Sequence, residues 1–278
     1  MKKFTILLVS FSLLSCRLYS SSISNSLGKK QRFDSILELI SPSTQYIADI
    51  GTDHGLLPLK IAAEYNHIMK IYAIDVSSLA LEGARSNLLL KSTDIQNKIE
   101  ILEGKGLTPI LKNKVETIIC AGMGSNTAQD ICNHSHLDSI NCERIVLQPW
   151  PNHIFPILKL YKHLIDTNNW IIDDQRIIQS GHYQHLTTSF IRATTTNNNN
   201  NHDNNNNNSL LSWPLTKRLL QNNPKDTENK VFMNYLINQN ANFFRVKKGK
   251  CQAILSSDST NDIITRAEKD ILEIIEKK

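Results

Sequence analysis

Short apolar runs alternate with longer amphipathic runs along the chain from Asp34 onward. Short apolar runs indicate β-strands, whereas apolar residues three and four positions apart indicate α-helices. The predicted strands cover residues 46–50, 69–75, 98–102, 115–122, 143–149, 170–179 and 182–193. The predicted helices cover residues 34–40, 56–65, 77–91, about 125–133 and about 153–167. This alternation predicts an α/β fold with a doubly wound, Rossmann-like sheet and helices on both faces.

The last two predicted strands are separated by one tight turn at Ser180 and Gly181, so they should pair antiparallel. A doubly wound sheet that ends in one antiparallel hairpin is typical of class I methyltransferases. Dehydrogenase sheets are usually parallel throughout. The hairpin therefore argues against a nicotinamide oxidoreductase.

An asparagine-rich tract, residues 194–208, follows the hairpin. It contains no apolar residue, so it cannot bury enough surface to offset the entropy of ordering, and we predict a disordered linker. Beyond it, helical patterns cover residues 210–240 and 260–278. We therefore expect one α/β domain over residues 34–193 and a small helical C-terminal domain over residues 209–278.

Residues 1–33 carry six basic side chains and no acidic one, in a chain whose net charge is +5. They begin with the signal-like "MKKFTILLVSFSLLSC" and continue with the serine-rich, basic "RLYSSSISNSLGKKQRF". Such a succession is typical of leaders that direct proteins into plastids with extra membranes. We therefore predict a targeting leader over residues 1–33 and an organellar location, with the plastid favoured and the mitochondrion as alternative. Secretion and a bacterial lipoprotein signal remain open.

The stretch "YIADIGTDHGLL" joins the first predicted strand to the next helix. Gly51 and Gly55 allow the backbone to approach a ligand closely, and the helix that follows offers free N–H groups to an anionic group. Asp75 ends the next strand 24 residues after Gly51, a spacing that suits a carboxylate holding ribose hydroxyls. The pattern favours a nucleoside cofactor. In the alternative, Asp49 and Asp53 only cap the helix.

Five motifs follow one another in order, each at the end of a predicted strand: "ADIGTDHGLLPLKIA", "YAIDVS", "EGKGL", "IICAGMGSNTAQDI" and "ERIVLQPWP". This succession resembles the bacterial tRNA (adenine-22-N1)-methyltransferase family. The later "GHYQHL" and "WPLTKRLLQNNPKDTENKVFMNYL" are similar to the family's final hairpin and helical domain. The resemblance covers about residues 34–193 and 209–278. It implies transfer of a methyl group from S-adenosylmethionine to N1 of a tRNA adenine.

The resemblance also implies which residues hold the cofactor. The acids and glycine of the first motif would hold its methionine end, and the acid of the second motif would hold its ribose. The "EGKGL" turn would border its adenine, and "AGMG" would lie where the sulfonium meets the target base. The cofactor-binding residues implied are Asp49, Gly51, Asp53, Asp75, Gly104, Gly106, Gly122 and Met123.

Adenine N1 carries a neutral lone pair, so its attack on a sulfonium methyl group needs alignment more than a strong base. The product is a cation that nearby carboxylates would stabilise, and we assign this role to Asp53 first and to Asp49 second. The adenine must leave its stack, and Trp150 offers a stacking surface, although a tryptophan at a strand end often belongs to the core. His54 fits either a proton shuttle or a hydrogen-bonded structural residue.

Three positions depart from the family's motifs. Lys105 replaces the usual acid of "GDGL", which removes an acceptor for the adenine amino group. Trp150 replaces an asparagine after "QP", and Ser125 replaces a glycine after "AGMG", where it would cap a helix. These departures leave two alternatives open: a methyltransferase for another RNA or a small molecule, and a non-catalytic RNA-binding protein on the same fold.

Positive charge is concentrated after the linker. Residues 209–251 carry eight basic and two acidic side chains, whereas residues 34–208 carry 13 basic and 18 acidic ones. We therefore expect the tRNA backbone to bind this basic segment, although a solvated face would show the same pattern. The candidate residues are Lys217, Arg218, Arg245, Lys247 and Lys248. The sequence indicates no obligate protein partner and no membrane segment in the mature chain.

The five cysteines form no CxxC pair, which argues against a disulfide framework. Cys132, His134, His136 and Cys142 are close in sequence, but their spacing matches no common zinc site. We therefore predict no bound metal.

Overall fold

The structure, a computed structural model, describes residues 28–110, 113–132, 134–150, 154–168, 170–193, 210, 213–214, 216–217, 230–239 and 258–276. Most of the predicted leader and the whole asparagine-rich linker lie outside these residues. The leader and the disordered linker therefore stay predictions.

The described chain forms a sheet of seven strands with helices on both sides. The strands are β1 (Tyr46–Ile50), β2 (Lys70–Asp75), β3 (Ile99–Glu103), β4 (Thr117–Ala121), β5 (Arg144–Gln148), β6 (Trp170–Ser180) and β7 (Tyr183–Arg192). The helices are α1 (28–37), α2 (Leu56–Glu64), α3 (Ser78–Leu89), α4 (Thr93–Lys98), α5 (Ser125–Ile131), α6 (His134–Ser139), α7 (Ile154–Asn168), α8 (230–239) and α9 (Asp258–Glu276). A 3-10 turn covers Thr108–Ile110.

The strands lie in the order β3-β2-β1-β4-β5-β7-β6. Strands β1 to β5 are parallel, and β7 pairs antiparallel with both β5 and β6. The predicted doubly wound sheet with an antiparallel terminal hairpin is therefore confirmed. The strand order reverses between β1 and β4, and ligands of such sheets bind outside the carboxyl ends of the strands at this point.

The central strands bury side chains on both faces, as parallel strands covered by helices do. In β4, Ile118 and Ile119 are fully buried neighbours that belong to opposite core clusters, because successive strand residues point to opposite faces. Helices α1 and α2 contribute Ile36 and Ile61 to the cluster of Ile119, whereas α5 and α7 pack into the cluster of Ile118. This double packing fixes the strand ends at which the candidate site lies.

The structure differs from the predicted elements mainly in short or basic segments. Helix α1 includes residues 28–33, which the sequence places in the leader. Lys29, Lys30 and Arg32 give this turn the composition of a transit peptide, so the helical period is visible only from Asp34. Helices α4 and α6 are missing from the prediction because six residues are too few to show an apolar period, and α4 buries none of its residues.

Beyond the linker, residues 214, 216 and 217 are helical, and two longer helices are described. They cover 230–239 and Asp258–Glu276, inside the broader regions predicted to be helical. Helix α9 buries Ala267, Ile271 and Ile274, which lie three and four positions apart and form one apolar stripe. Within the described ranges, no helix combines the length and the apolar character that a membrane span needs.

Candidate functional site

The turn after β1 takes up three left-handed backbone conformations in five residues. Gly51 has φ 76°, Asp53 has φ 53° and Gly55 has φ 70°. Glycine adopts such angles without strain, whereas Asp53 adopts one at a steric cost. The main-chain N–H groups of Gly51 and Thr52 both donate to the carbonyl oxygen of Ile74, at 2.8 and 3.0 Å. The turn is therefore tied to the end of the neighbouring strand β2.

Asp75, at the end of β2, is held by main-chain donors. Its Oδ2 accepts the N–H of Asp53 at 2.9 Å, and its Oδ1 accepts the N–H of Ser77 at 2.9 Å. Each carboxylate oxygen has a further lone pair. The half-buried carboxylate therefore has a fixed orientation and can still accept hydrogen bonds from a ligand.

Asp49 lies within β1, and its side chain is almost completely buried, with 3% exposed. Burial raises the pKa of this carboxyl to about 7; the nearby Thr52 hydroxyl acts in the opposite direction, and the charge of Asp75 raises the pKa further. The N-cap residue of α2 is Gly55, and the start of this helix has no side-chain capping hydrogen bond. The alternative in which Asp49 and Asp53 only cap this helix is therefore wrong.

The end of β4 faces the β1 turn across the crevice. A Cβ atom placed on Gly51 would lie 3.1 Å from Met123 Cε, so a side chain at position 51 would fill the space between the two turns. Gly122 has φ 75°, and its N–H donates to the carbonyl oxygen of Gln148 at 2.8 Å. The N–H of Trp150 donates to the carbonyl oxygen of Met123 at 2.8 Å. The ends of β1, β4 and β5 thus border one cleft.

Trp150 lies outside the core, with 46% of its surface exposed. Its indole is 6.2 Å from the ring of Tyr183, at an interplanar angle of 51°, and Tyr183 is 54% exposed. These two exposed aromatic rings offer apolar surface next to the end of β5. Tyr183 is absent from the predicted site because only the fold brings the start of β7 next to the end of β5.

The 104–106 turn lies beside Asp75, since the N–H of Gly104 donates to the Asp75 carbonyl oxygen at 2.9 Å. A Cβ atom on Gly104 would lie 2.3 Å from Pro109 Cγ, so packing against the proline requires glycine there. Gly106 has φ 57°. Lys105, between the two glycines, is exposed.

A buried polar network that the sequence analysis missed joins α1 to β5 and β7. Gln148 is fully buried, and its Nε2 donates to Thr187 Oγ1 at 2.7 Å and to Ser35 Oγ at 3.1 Å. Its Oε1 accepts Arg32 Nε at 3.2 Å. His185 lies nearby; burial, and then the charge of Arg32, lower its pKa to about 4. No short motif signals this network, because its members are far apart in sequence.

The structure gives less support to the other candidates. Lys217 is exposed, whereas Arg218, Arg245, Lys247 and Lys248 lie outside the described residues. His54 is exposed, and its Nε2 is 3.7 Å from Asp53 Oδ1. The cap of α5 is Gly124, and Ser125 is the first, buried residue of the helix, so the prediction that Ser125 caps it is wrong.

Cys132 and Cys142 are buried thiols in the core. Burial raises the pKa of Cys142 to about 12, so this thiol stays protonated. In the described part of the chain, no group of three or more histidine, cysteine and acidic side chains is arranged to hold a metal ion.

Comparison with known proteins gives a family match and a curated relative. A family model described as "Methyltransferase domain" matches residues 29–186. The tRNA (adenine(22)-N(1))-methyltransferase of Bacillus subtilis (strain 168) is 27% identical over 125 residues, which make up 45% of this chain and 51% of that protein. The chain thus spans about half the length of this curated relative.

Two solved structures have the same fold. The B. subtilis tRNA methyltransferase TrmK is 20% identical, with a TM-score of 0.63, and the match covers 88% of this chain and 97% of that chain. TrmK of M. capricolum, solved with S-adenosyl-homocysteine, is 18% identical, with a TM-score of 0.59 and the same coverage of both chains. At these identities the two structures establish the architecture alone.

Proposed function

The chain belongs to the methyltransferase-domain family, and we propose that it transfers a methyl group from S-adenosylmethionine to N1 of an adenine in tRNA. Adenine 22 is the target that its resemblance implies. The description of the curated B. subtilis relative supports this substrate, and the S-adenosyl-homocysteine in the M. capricolum structure supports the cofactor.

One observation carries the proposal. The buried carboxyl of Asp49 and the oriented carboxylate of Asp75 lie at the reversal point of the sheet, opposite Met123. Trp150, whose ring is exposed, lies next to Met123, because its main-chain N–H donates a hydrogen bond to the carbonyl oxygen of Met123. A site for a nucleoside with a cationic end and a surface for a flat base therefore share one cleft.

The residues of this cleft fit S-adenosylmethionine. Asp49 and Asp53 would hold the ammonium of its methionine end, and Asp75 would hold its ribose hydroxyls. The turn with Gly104 and Gly106 would border its adenine. When bound, the cofactor supplies a positively charged sulfonium whose methyl group is open to attack.

The transfer forms a bond between adenine N1 and the methyl carbon while the bond from that carbon to sulfur breaks. No proton leaves N1 first, so the chain's own residues have to align the base and stabilise the cationic product. Asp53, whose side chain is 71% exposed and lies in the turn after β1, is the first candidate for this stabilisation. Asp49, buried in β1 just before this turn, is the second candidate.

Trp150 and Tyr183 would receive the adenine once it has left its stack. Enzymes that act on a base inside structured nucleic acid have to extrude it, and aromatic side chains replace the lost stacking. Their exposure in the free protein supports this role, since large apolar rings are otherwise rarely left in water next to a cleft.

The tRNA body and the location are further parts of the proposal. The basic residues of segment 209–251 would bind the tRNA backbone, since positive side chains supply the sequence-independent part of nucleic-acid binding. The signal-like and serine-rich sequence ahead of α1 supports import into an organelle, with the plastid favoured.

A transfer assay tests the proposed function. The full chain is incubated with labelled S-adenosylmethionine and with pooled organellar or cytosolic tRNA, and the digested product is analysed for methylated nucleosides. We expect 1-methyladenosine, formed in the organellar pool. A matched transcript in which guanine replaces adenine 22 should remain unlabelled.

The other outcomes are equally informative. Another methylated nucleoside would keep the methyltransferase and contradict its substrate. Label in the guanine-substituted transcript would contradict the target position. An absence of product in every pool, together with no binding of S-adenosyl-homocysteine, would contradict the proposed function as a whole.

A further inference from the structure

Arg32 places a positive charge at the cleft, and no acidic side chain among the described residues balances it. Its Nε donates to Gln148 Oε1 at 3.2 Å, and Gln148 Nε2 donates back to the Arg32 carbonyl oxygen at 3.3 Å. Burial lowers the pKa of Arg32, and no acidic neighbour in the described chain raises it again. An arginine remains protonated under all physiological conditions, so a half-buried cation borders the site.

The guanidinium is directed at the end of β4. Arg32 Nη2 lies 3.6 Å from the position that a Cβ atom on Gly122 would occupy. The next residue, Met123, reaches within 3.1 Å of the equivalent position on Gly51. Arg32 and the cofactor turn of β1 therefore border the same crevice from two sides, with the glycine of β4 between them.

The proposed cofactor needs such a cation. Its methionine end carries an ammonium and a carboxylate. The acids Asp49 and Asp53 can pair with the ammonium but not with the carboxylate. A carboxylate left in a partly buried site without a donor costs free energy. We propose that the Arg32 guanidinium binds the carboxylate of the methionine end of S-adenosylmethionine. This inference rests on the cofactor of the proposed function.

The charge balance of the reaction favours this ligand over an RNA phosphate. The sulfonium and the methylated adenine are both positive, and an arginine beside them would repel them. A carboxylate that belongs to the cofactor neutralises the guanidinium before the RNA arrives. A phosphate would do so only in the complex with tRNA.

The buried network holds Arg32 in position. Gln148 has hydrogen bonds to Arg32, Ser35 and Thr187, so its amide has one preferred orientation. Helix α1 is also fixed by the ion pair between Asp34 and Lys60, at 3.0 Å. The guanidinium is therefore oriented before the ligand binds, which reduces the entropy lost on binding.

Calorimetric titration of the full chain with two ligands tests the inference. S-adenosylmethionine carries the carboxylate, whereas decarboxylated S-adenosylmethionine lacks it and keeps the ammonium and the sulfonium. For Arg32→Ala we expect about 30-fold weaker binding of S-adenosylmethionine, the loss typical of a charged hydrogen-bonded pair. For the same variant, binding of the decarboxylated ligand should change less than about 2-fold. This ligand already lacks the carboxylate, so removing the guanidinium breaks no further contact.

The control variants separate this contact from charge and folding. Arg85→Ala removes an exposed positive charge of α3 and should bind both ligands as the wild type does. Arg32→Lys should recover part of the lost affinity for S-adenosylmethionine. Thermal melts of each variant establish that it is folded.

Two results would overturn the inference. The first is unchanged affinity of Arg32→Ala for S-adenosylmethionine; if the KM for tRNA rises at the same time, the guanidinium belongs to an RNA phosphate. The second is an equal loss for both ligands, which would make Arg32 a residue that only shapes the site. A wild-type chain that binds neither S-adenosylmethionine nor S-adenosyl-homocysteine would instead contradict the proposed function.

Discussion

The two halves of the cleft are built in different ways. On the β1–β2 half, main-chain groups hold the site, since Ile74 accepts two N–H bonds from the turn and Asp75 accepts two more. On the β4–β5 half, the main-chain bonds from Gly122 to Gln148 and from Trp150 to Met123 are joined by side chains that are distant in sequence. The side chain of Gln148 is hydrogen-bonded to Arg32, 116 residues away in sequence, and to Thr187, 39 residues away.

This difference matches the two tasks of the cleft. A cofactor is the same for every member of a family, and a turn fixed by its own main chain can hold it whatever else changes. A target base has to be recognised in a particular RNA, and side chains can be exchanged one at a time to do so. We therefore expect substitutions of Asp49 and Asp75 to weaken cofactor binding, and substitutions of the exposed rings Trp150 and Tyr183 to affect the RNA. Arg32 connects the two halves, because Gln148 holds it and it is proposed to bind the carboxylate of the cofactor.

The largest effect is expected from Asp49→Asn, which leaves the size of the side chain almost unchanged. Loss of the carboxylate should weaken cofactor binding about 100-fold, as for a buried charged hydrogen bond, and methyl transfer should fall with it. Calorimetry with S-adenosyl-homocysteine measures the affinity. Affinity within a few-fold of the wild type would remove Asp49 from the cofactor site and break the distinction between the two halves.

The same variant should be more stable than the wild type at pH 8. The folded pKa of Asp49, about 7, lies above its ordinary value, so the unfolded chain loses this proton more readily. The resulting cost to folding grows as the pH rises from about 4 to 7, reaches at most about 4 kcal/mol, and is absent in the asparagine variant. Asp53→Asn, on an exposed side chain, should leave the melting temperature unchanged. Equal melting temperatures of Asp49→Asn and the wild type at pH 8 would contradict the raised pKa.

A smaller effect, confined to the RNA, is expected from Trp150→Ala. Loss of a stacking surface typically costs about 1–3 kcal/mol per base, so kcat/KM for tRNA should fall about 30-fold. Cofactor affinity should stay within about 2-fold, because the ring is proposed to receive the target base and not the cofactor.

Trp150→Phe keeps a flat ring and should recover most of the activity, whereas Tyr183→Ala should lose less than Trp150→Ala. Steady-state methylation of one purified tRNA measures all three variants. If Trp150→Ala reduced cofactor affinity as much as it reduced transfer, the ring would belong to the cofactor half.

The sequence predicted most of the fold because its central elements show strong local patterns. The run that forms β1 is apolar until its carboxyl end, and the turn between β6 and β7 is short enough to require antiparallel pairing. The first turns of α1 show how prediction fails, since Lys29, Lys30 and Arg32 give a helix of the domain the composition of a leader.

The sequence predicted those candidate site residues that lie in short motifs, and it missed those that distant contacts bring to the cleft. Asp49, Gly51 and Asp75 lie in motifs at strand ends, so their roles could be assigned from spacing and resemblance. Arg32 and Tyr183 carry no motif, and only the packing of α1 and the pairing of β7 with β5 bring them to the cleft. A residue held by long-range side-chain contacts cannot be recognised from its neighbours in sequence.

The smallest effect expected is a pH dependence that arises on the β1–β2 half alone. In the proposed site the ammonium of the cofactor would pair with ionised Asp49, whose pKa is about 7 in the free protein. The ionised fraction therefore rises from about a tenth at pH 6 to about three quarters at pH 7.5, and affinity for S-adenosyl-homocysteine should rise about 8-fold. His185, with its pKa lowered to about 4, stays neutral over this range and adds no slope. Calorimetry in buffers of different ionisation enthalpy should show proton release on binding near pH 6.5, and Asp49→Asn should bind with a flat profile. An equal slope in that variant would place the titrating group elsewhere in the cleft and leave the buried carboxyl without a part in cofactor binding.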